Sequence, residues 1–498
     1  MASNGQQSNI GEREIRTQQR ALAVLQQLGY RYLDNWAARK NNRNIETEIL
    51  THWLQRRGTN ANLIERALRS LDRASIIAGS TNLYETNRAV YDKLRYGVKV
   101  KPSLDADTET VHVIDWANPS KNDFAVAEEV TIEGPQHRKR PDLVLYVNGI
   151  AFGVLELKRA TVSMSQGIRQ HLDNQKKAFI EPFFTTVQLL FAGNESEGLR
   201  YGVIETPEKY WLRWVEPSQT DDPLGRDLTQ LCRPERLLEI IHDFIVFDAG
   251  TKKTCRHNQY FGVRAAQEHI TRREGGIVWH TQGSGKSLTM VWLAKWIREH
   301  VENARVLLVT DRTELDEQIE KVFEGVDEHI YRTQSGADLV GALNDAEPWL
   351  ICSLIQKFGR GEEASADDVD RFVADIQSRL PKGFRAKGRI FVFVDECHRT
   401  QSGKLHDAMT ALVPDAVLIG FTGTPLLKKD KQTSLEVFGP YIHTYKFDQA
   451  VRDGVVLDLR YEARDIDQQL TSPAKVDQWF DAKTRGLTDL ARAQLKQR

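Results

Sequence analysis

The sequence predicts an α/β protein, because short apolar runs of strand type alternate along the chain with stretches of helical spacing. From about residue 252 to 447, five such runs are separated by helix-length segments, which is the pattern of a parallel sheet with right-handed crossovers. The five predicted strands are Gly276–His280, Val306–Thr310, Leu350–Ser353, Ile390–Val394 and Val417–Phe421. A group of shorter runs further upstream predicts a second α/β region.

The upstream part begins with helices and then changes in texture. Between Ile15 and Leu94, apolar residues recur every three or four positions, which predicts a packed helical layer. From Val98 to Trp214, short apolar runs alternate with turn residues and surround one predicted helix at Ser163–Phe179. The predicted strands are Val111–Trp116, Phe124–Ile132, Leu143–Val147, Ala151–Leu157, Gln188–Ala192, Tyr201–Ile204 and Tyr210–Trp214.

These changes predict four regions. The stretch Glu216–Arg226 is polar, with two prolines and a glycine, and is predicted to be a loop. The charged stretch Gly361–Arg389 is predicted to be a surface insertion. The regions are a helical N-terminal part at 1–97, an α/β core at 98–248, the parallel-sheet domain at 249–450 and an incomplete linker or domain at 451–498.

Composition limits the class of protein. With 40% hydrophobic and 28% charged residues, the 498-residue chain is balanced like an ordinary globular protein, which excludes wholesale disorder. The 68 Lys and Arg against 69 Asp and Glu mean that any nucleic-acid surface must be a local patch. The four cysteines form no Cys-x-x-Cys pair, so we expect neither zinc nor disulfides, which fits a reducing cytoplasm. No apolar run approaches the ~20 residues of a membrane helix, so we expect no membrane partner.

The strongest local pattern runs from Gly275 to Ser287 and predicts a phosphate-binding loop. There a predicted strand leads into Thr-Gln-Gly-Ser-Gly-Lys-Ser, and a predicted helix follows. Glycines let backbone N–H groups approach phosphates, the lysine reaches the β- and γ-phosphates, and the serine binds Mg²⁺. One departure is His280, which stands where this motif has its first glycine. The residues predicted to bind ATP here are Thr281, Gly283, Ser284, Gly285, Lys286 and Ser287.

A second pattern, Ile-Phe-Val-Phe-Val-Asp-Glu-Cys-His, places two carboxylates at the C-terminal end of a buried strand, where ligands of α/β sheets bind. We expect Asp395 to hold the Mg²⁺ of the nucleotide, directly or through water. We expect Glu396 to orient and deprotonate the attacking water.

Together with Val306–Arg312 and Phe421–Pro425, these motifs resemble the first RecA-like motor domain of superfamily-two helicases and translocases. The resemblance implies an ATP-fuelled motor in which Gln259 reads the adenine. It also implies coupling and DNA-track positions at Asp311, Arg312, His398, Thr422 and Thr424.

An upstream hairpin carries a second set of charged residues. The dipeptide Asn148-Gly149 is a strong hairpin signal between two apolar strands. Asp142 opens the first strand, and Glu156 and Lys158 close the second on one face. Two carboxylates beside a lysine can hold Mg²⁺, activate water and stabilise a pentavalent phosphate. The set resembles the Pro-Asp…Glu-x-Lys motif of restriction nucleases, which implies that Asp142 and Glu156 bind the metal.

This assignment depends on the register of the hairpin. With a two-residue loop, paired residue numbers sum to 297, and Asp142 and Glu156 point to opposite faces. With a three-residue bulged loop, the sum is 298 and the two carboxylates share a face. We predict the 298 register, because a slip by one residue moves every side chain to the other face.

Nearby residues leave several roles open. Gln166 and Gln170 lie where RecB-like nucleases carry a helical glutamine, but the tyrosine that follows in that family is replaced by Asn174. Glu46 or Glu48 could supply another metal carboxylate or could simply face solvent. The run His137–Arg140 could contact backbone phosphates or be an ordinary solvated charge run.

A nuclease hairpin followed by a motor resembles the restriction (motor) subunit of type I restriction–modification enzymes, over roughly residues 40 to 460. The resemblance implies a cytoplasmic bacterial or archaeal enzyme that translocates double-stranded DNA with ATP and cleaves it, with Mg²⁺, away from the recognition site. Its implied partners are a methyltransferase subunit and a specificity subunit.

One feature keeps other interpretations open. No Gln-x-x-Gly-Arg-like stretch follows Pro425, so the second RecA-like domain is expected to be largely missing and ATP turnover to be poor. The alternatives are a RecB-like, ATP-fuelled nuclease of repair or defence, and a truncated module that binds ATP or DNA without turnover.

Overall fold

The computed structural model describes most of the chain. The described residues are 3–103, 105–310, 320–326, 328–354, 371, 374–375, 378–381, 383–396, 412–424, 438–458 and 473–496. They divide into two compact units, Met1–Val456 and Leu457–Arg498. Within the described ranges, no helix is long and apolar enough to cross a membrane.

The N-terminal part is a helical layer that contains one strand. Leu50, Trp53 and Leu54 form a buried stripe on one helix, as their spacing predicts. The helical prediction for this part holds except at Arg31–Asn35, a short edge strand whose residues show no clear period. The elements are α1 (Ser3–Gln27), β1 (Arg31–Asn35), α2 (Thr47–Arg56), α3 (Ala61–Ala74) and α4 (Leu83–Tyr96).

A mixed seven-stranded sheet follows, in the order β1-β4-β5-β6-β7-β8-β9, with a separate pair β2-β3. Most predicted strands are present with ends shifted by a few residues, but β3 is shorter and lies earlier than predicted. The elements are β2 (Val98–Val100), β3 (Glu109–Val111), β4 (Phe124–Glu128), β5 (Leu143–Val147), β6 (Ile150–Leu157), α5 (Ser165–Asn174), β7 (Leu189–Asn194), β8 (Gly198–Gly202) and β9 (Leu212–Arg213).

The β5–β6 hairpin changes register part-way along its length. Next to the turn, Val147 pairs with Ile150 and the paired numbers sum to 297. Beyond a bulge at Phe152, Leu145 pairs with Gly153 and Leu143 with Leu155, so the sum is 298. The predicted register at the charged end is therefore confirmed. The predicted three-residue loop was wrong, because the bulge lies inside the strand and the turn has two residues.

Two helices and a hairpin connect this sheet to the second one. They are α6 (Pro223–Cys232), α7 (Pro234–Asp243), β10 (Ile245–Asp248) and β11 (Thr251–Thr254). On β11, the Lys252 ammonium is buried and donates to the side-chain oxygens of Asn87 and Gln188, each at 2.7 Å. Burial lowers the pKa of Lys252 well below its usual value.

The second sheet is parallel in every pair, which confirms the predicted fold class. Its order is β14-β15-β13-β16-β17-β12-β18, and within the described residues one helix precedes β12, one lies between β12 and β13, and one lies between β14 and β15. The elements are α8 (His257–Thr271), β12 (Gly276–His280), α9 (Lys286–His300), β13 (Ala304–Thr310), β14 (Tyr331–Arg332), α10 (Gly336–Asn344), β15 (Leu350–Leu354), β16 (Arg389–Val394), β17 (Val417–Thr422), β18 (Tyr441–Tyr445) and α11 (Phe447–Arg452). The unit Leu457–Arg498 contains α12 (Pro473–Lys483) and α13 (Asp489–Lys496).

The two sheets belong to the same compact unit and are joined by charged contacts. Arg95 at the end of α4 donates through both terminal nitrogens to the Glu299 carboxylate on α9, at 2.7 Å each. Tyr201 of β8 donates its hydroxyl to the Cys255 carbonyl, immediately before α8, at 2.7 Å. Much of the predicted insertion Gly361–Arg389 lies outside the described residues.

The hairpin turn gives a stability prediction. Asn148 and Gly149 have φ of +52° and +83°, as a type I′ turn requires. A Cβ on Gly149 would lie 2.8 Å from the Glu46 carbonyl oxygen and 2.8 Å from the Ile49 Cβ. We expect Gly149→Ala to lower the free energy of unfolding by about 1 kcal/mol for the backbone and by a further ~1–3 kcal/mol for the clash.

Gly250→Ala is the matched control. Gly250 has a φ of +86°, but a Cβ there would meet nothing within 4 Å, so only the backbone term should appear. Urea unfolding of both variants measures the difference. Equal losses of stability would contradict the close approach of α2 to the turn.

Candidate functional site

The two upstream carboxylates lie at the same end and on the same face of the first sheet. Leu143, Leu155 and Leu157 point into one core, so Asp142 and Glu156, which alternate with them, point to the other face. Glu156 is fully buried, and Asp142 is 8% exposed. The Asp142 Oδ2 accepts a hydrogen bond from the Leu157 N–H at 2.6 Å, which ties β5 to the end of β6.

Helix α5 holds the Glu156 carboxylate with two amides. Gln170 donates to Oε2 at 2.6 Å, and Asn174 donates to Oε1 at 3.1 Å. Gly167 allows this approach, because a Cβ there would lie 3.1 Å from the Glu156 carbonyl oxygen. Each carboxylate oxygen therefore has a fixed donor, which orients the group without neutralising its charge.

Lys158 lies on the same face. Its N–H donates to the Gly193 carbonyl of β7 at 2.9 Å, which extends the strand pairing past Glu156. The pKa of the buried His171 on α5 is lowered to about 4, by burial first and also by the nearby charge of Lys158. The lysine charge is therefore close to the helix that holds Glu156.

The donor set at this edge fits Mg²⁺. That ion is commonly held by one or two carboxylates and completes its shell with water and substrate phosphate. Asp142 and Glu156 are the candidate ligands, and no group of three or more His, Cys, Asp or Glu that could hold a metal occurs within the described ranges.

Glu46 does not belong to this edge. Its N–H donates to the Gly149 carbonyl, at the turn end of the hairpin, which is seven residues from Glu156 or about 23 Å of extended chain. Its carboxylate is bound by both terminal nitrogens of Arg39, at 2.9 and 2.6 Å. The interpretation as a metal ligand was therefore wrong, and Glu48 is exposed on α2.

The phosphate loop has the conformation that its sequence predicts. Gly283 and Gly285 have φ of +81° and +93°, and α9 begins at Lys286. The Ser284 N–H and hydroxyl both donate to the Thr281 carbonyl, which closes the loop. These positive-φ glycines and the helix N-terminus form a cradle that fits a nucleotide phosphate.

The Gln259 side chain is bound to this loop. Its amide donates to the Gly285 carbonyl at 2.9 Å and accepts from the Arg256 N–H at 2.9 Å. A Cβ on Gly285 would lie 2.3 Å from the Gln259 Nε2, so a larger residue there would displace this amide. In the structure, Gln259 thus fixes the loop, and its role towards adenine stays a prediction.

The carboxylates of the second sheet face the phosphate loop. The Glu396 Oε1 lies 3.7 Å from the Lys286 Nζ, and its Oε2 accepts from the Gly423 N–H at 3.3 Å. Glu396 has a φ of +47°, a strained conformation for a residue other than glycine. The Glu396 N–H donates to the Asp395 carboxylate at 3.0 Å. The loop lysine, the strand-end carboxylate and the 422–424 turn thus form one contiguous cluster.

The 422–424 turn is held by its own hydroxyls. The Thr422 hydroxyl donates to the Thr424 carbonyl at 3.2 Å and accepts from the Thr424 N–H at 3.3 Å. A Cβ on Gly423 would lie 2.8 Å from the Lys286 Nζ. Asp311, Arg312 and His398 lie outside the described residues, so their predicted positions stay predictions.

The departure at His280 has a structural explanation. The side chain is fully buried and shares a 2.8 Å hydrogen bond, through Nε2, with the Nδ1 of His443 on β18. A Cβ on Gly262 would lie 2.7 Å from this ring, so α8 packs closely against it. His280 therefore ties β12 to its neighbours rather than shaping the phosphate loop.

Comparison with known proteins agrees with this arrangement. Residues 11–209 match the family model of the type I restriction enzyme R protein N terminus, and residues 258–493 match that of the SWI2/SNF2 ATPase. The chain is therefore similar to type I restriction R proteins over most of its length. The parallel sheet and its family match also show a helicase-like α/β fold.

Individual relatives carry the same description. A Methanocaldococcus jannaschii protein named as the MjaIXP endonuclease subunit of a type I restriction enzyme is 32% identical over 437 residues, which are 78% of this chain and 40% of that protein. The HindI endonuclease subunit of Haemophilus influenzae is 29% identical over 82% of this chain and 42% of its own length. This chain thus spans about two fifths of the length of these relatives.

Among solved structures, a nuclease-deletion mutant of the Type ISP restriction-modification enzyme LlaGI in complex with a DNA substrate mimic aligns over 49% of this chain and 24% of that one. The identity is 14% and the TM-score is 0.31.

Two residues beside the Asp142 and Glu156 carboxylates were not expected to take part in this site. Asn174 was noted as a departure from a tyrosine pattern, yet it binds Glu156 directly. Gly167 gave no signal of its own. The sequence spacing could have predicted the role of Asn174, because Gln170 and Asn174 are one helical turn apart and must lie on the same face of the helix. Gln166, the other candidate glutamine, is exposed.

The histidines behind the phosphate loop predict a loss of stability in acid. Burial lowers the pKa values of His257, His280 and His443, the last to about 4. Lys286 is the charged group near His280. His257 shares a 3.1 Å hydrogen bond with the Asp453 carboxylate, and Arg256 is also near it. Because a lowered pKa favours the neutral ring in the folded state, stability should be full above pH 6.5 and fall as the pH drops towards 4.

The measurement compares urea unfolding between pH 7.5 and 4. His443→Asn removes one of these groups and should reduce the acid loss by about 3 kcal/mol at pH 4, since each unit of pKa shift is worth 1.36 kcal/mol. Identical profiles for His443→Asn and the wild type would contradict this assignment.

Proposed function

We propose that this chain is the ATP-dependent translocase and Mg²⁺-dependent endonuclease part of a type I restriction system that cleaves unmodified foreign double-stranded DNA away from its recognition site. The nuclease core would comprise residues 98–248, packed on 1–97, and the first motor domain residues 249–450. The observation that carries the proposal is the clamped Glu156 beside Asp142, in one compact unit with the Lys286–Glu396 cluster.

At the nuclease edge, each side chain has a distinct task. Asp142 and Glu156 would hold Mg²⁺, which when bound activates water and offsets the charge of the scissile phosphate. Gln170 and Asn174 keep the Glu156 oxygens in place, so little reorganisation is needed when the substrate arrives. The Lys158 ammonium stabilises the negative charge that develops on the phosphate during attack.

At the motor site, the same logic applies to ATP. The loop at 281–287 binds the phosphates, with Lys286 at the β- and γ-phosphates and Ser287 and Asp395 towards Mg²⁺. Glu396 orients the attacking water, and its contact with Gly423 links that carboxylate to the 422–424 turn. A change at the γ-phosphate would therefore reach the segment assigned to coupling with DNA.

The partners follow from the same proposal. A subunit of this kind would be recruited by a methyltransferase subunit and a specificity subunit, and would work in the bacterial or archaeal cytoplasm. The recognition sequence would belong to the specificity subunit. Base contacts specify sequence, whereas the motor needs only the DNA backbone.

Two substitutions separate the two chemistries in the assembled enzyme. We expect Lys158→Ala to slow DNA cleavage by roughly 10²–10³-fold, because one charge that stabilises the transition state is lost, while leaving ATP binding intact. We expect Lys286→Ala to abolish ATP binding while leaving the nuclease hairpin folded. Plasmid cleavage and nucleotide-binding assays measure the two effects.

The exposed Lys209→Ala is the control and should behave as the wild type in both assays. Unchanged cleavage by Lys158→Ala would refute the nuclease assignment. Unchanged nucleotide binding by Lys286→Ala would refute the ATP site.

A further inference from the structure

A positively charged turn projects beyond the nuclease edge. The β4–β5 hairpin continues past its named strands, with backbone bonds between Glu129 and Asp142, between Val130 and Pro141, and between Ile132 and Lys139. The residues at its tip, 133–140, are called the basic turn here. Lys139 precedes Asp142 by three residues, or about 10 Å of extended chain.

The basic turn is docked on the segment that follows α5. The N–H groups of Gln136 and His137 reach the Ala178 carbonyl at 3.3 and 3.2 Å. The His137 ring stacks on Phe179 with centroids 5.0 Å apart and planes 29° apart. A Cβ on Gly134 would lie 1.9 Å from the Phe179 carbonyl oxygen, so this close contact requires glycine.

Phe179 also makes a cation–π contact with a lysine of the basic turn. The Lys139 ammonium lies 4.4 Å from the centre of the ring, on the geometry of a cation–π contact. The neighbouring α5 ends in the Asn174 that binds Glu156, and the Ile180 N–H donates to the Asn174 carbonyl at 3.1 Å. The basic turn and the Glu156 clamp are therefore parts of one packed segment.

Three cations of this surface are available to an outside partner. Arg140 is paired with Glu129 at 2.5 Å and Lys176 with Asp173 at 2.6 Å. In the part of the chain that the structure describes, Arg138, Lys139 and Lys177 make no ion pair, and Arg138 and Lys177 are exposed. The acidic residues of the basic turn and of the stretch 175–181 that follows α5 are Glu133 and Glu181. They are fewer than the basic residues, so this surface has a net positive charge.

We propose that Arg138, Lys139 and Lys177 bind the phosphate backbone of double-stranded DNA beside the Asp142–Glu156 edge. The assignment rests on the proposed nuclease function and adds the residues that hold its substrate. DNA carries one phosphate per 3.4 Å of axis on each strand, so ~10 Å spans roughly three phosphates next to the cut. Phe179 and Gly134 act as positioning residues, because they fix the turn without touching DNA.

The test uses the full 498-residue chain and a 30-base-pair duplex in Ca²⁺ without ATP. We expect the triple variant Arg138→Ala/Lys139→Ala/Lys177→Ala to bind more weakly at every DNA sequence. The slope of log K against log salt should fall by about 2–3, since each lost phosphate contact contributes about 0.9. The control triple Lys99→Ala/Lys101→Ala/Lys121→Ala removes the same charge from exposed sites elsewhere and should leave the slope unchanged.

Equal slopes for the two triple variants would overturn the proposal. A second outcome would also overturn the proposal. If the triple variant lost binding to polyglutamate but not to the duplex, the surface would be a docking site for an acidic protein segment. The double variant Arg138→Ala/Lys177→Ala leaves the Lys139–Phe179 contact intact and should lower the slope by about 2, which guards against a folding defect.

The DNA-binding test of the basic turn can fail or succeed independently of the nuclease proposal. Cleavage that survives Asp142→Asn in the assembled enzyme would refute the nuclease, while the binding slope would still report on the turn. A normal slope in the Arg138 variants together with Asp142-dependent cleavage would refute the turn alone.

Discussion

The register of one hairpin is the constraint on which the nuclease interpretation depends. The type I′ turn at Asn148-Gly149 starts the two strands in one register, and the bulge at Phe152 shifts them into the other before they reach Asp142. Without that shift, the two carboxylates would face opposite sides of the sheet. Glu156 would then enter the apolar core around Leu155 and Leu157, at the high cost of an unpaired buried charge.

The turn end of the hairpin is anchored as firmly as its charged end. The Asn148 side chain is fully buried, accepts from the Asp123 N–H at 2.7 Å and donates to the Val113 carbonyl at 2.9 Å. At the other end, the amides of Gln170 and Asn174 hold Glu156. Because the hairpin is held at both ends, the positions of the two carboxylates vary little within the folded state. A metal-dependent nuclease requires such preorganised ligands.

The two seven-stranded sheets are joined by contacts that do not depend on ligands. Arg95 and Glu299 form a two-point ion pair between α4 and α9, and the buried Lys252 ties the connecting hairpin β10–β11 to Asn87 and Gln188. Tyr201 of β8 also bonds the backbone just before α8, the helix whose Gln259 holds the phosphate loop. The proposed cutting edge would therefore be carried as a fixed part of the first motor domain.

Local patterns predicted much of this structure, and packing decided the rest. The apolar runs at Leu143–Val147 and Gly276–His280 are strands with the predicted bounds, because buried strands need continuous apolar residues. The strands Arg31–Asn35 and Tyr441–Tyr445 were missed, because each is a short edge strand with neither a continuous apolar run nor a strict apolar–polar alternation. His280 and Asn174 departed from family patterns, and only their partners across the fold, His443 and Glu156, explain them.

The most direct measurement of the central claim is Mn²⁺ binding to the full chain without ATP, followed by electron paramagnetic resonance. Mn²⁺ accepts the same oxygen ligands as Mg²⁺ and reports occupancy without any need for cleavage. The account predicts one site that is lost in both Asp142→Asn and Glu156→Gln and retained in Asp395→Asn, whose carboxylate serves the nucleotide. Mn²⁺ binding that is unchanged in Asp142→Asn and Glu156→Gln would contradict it.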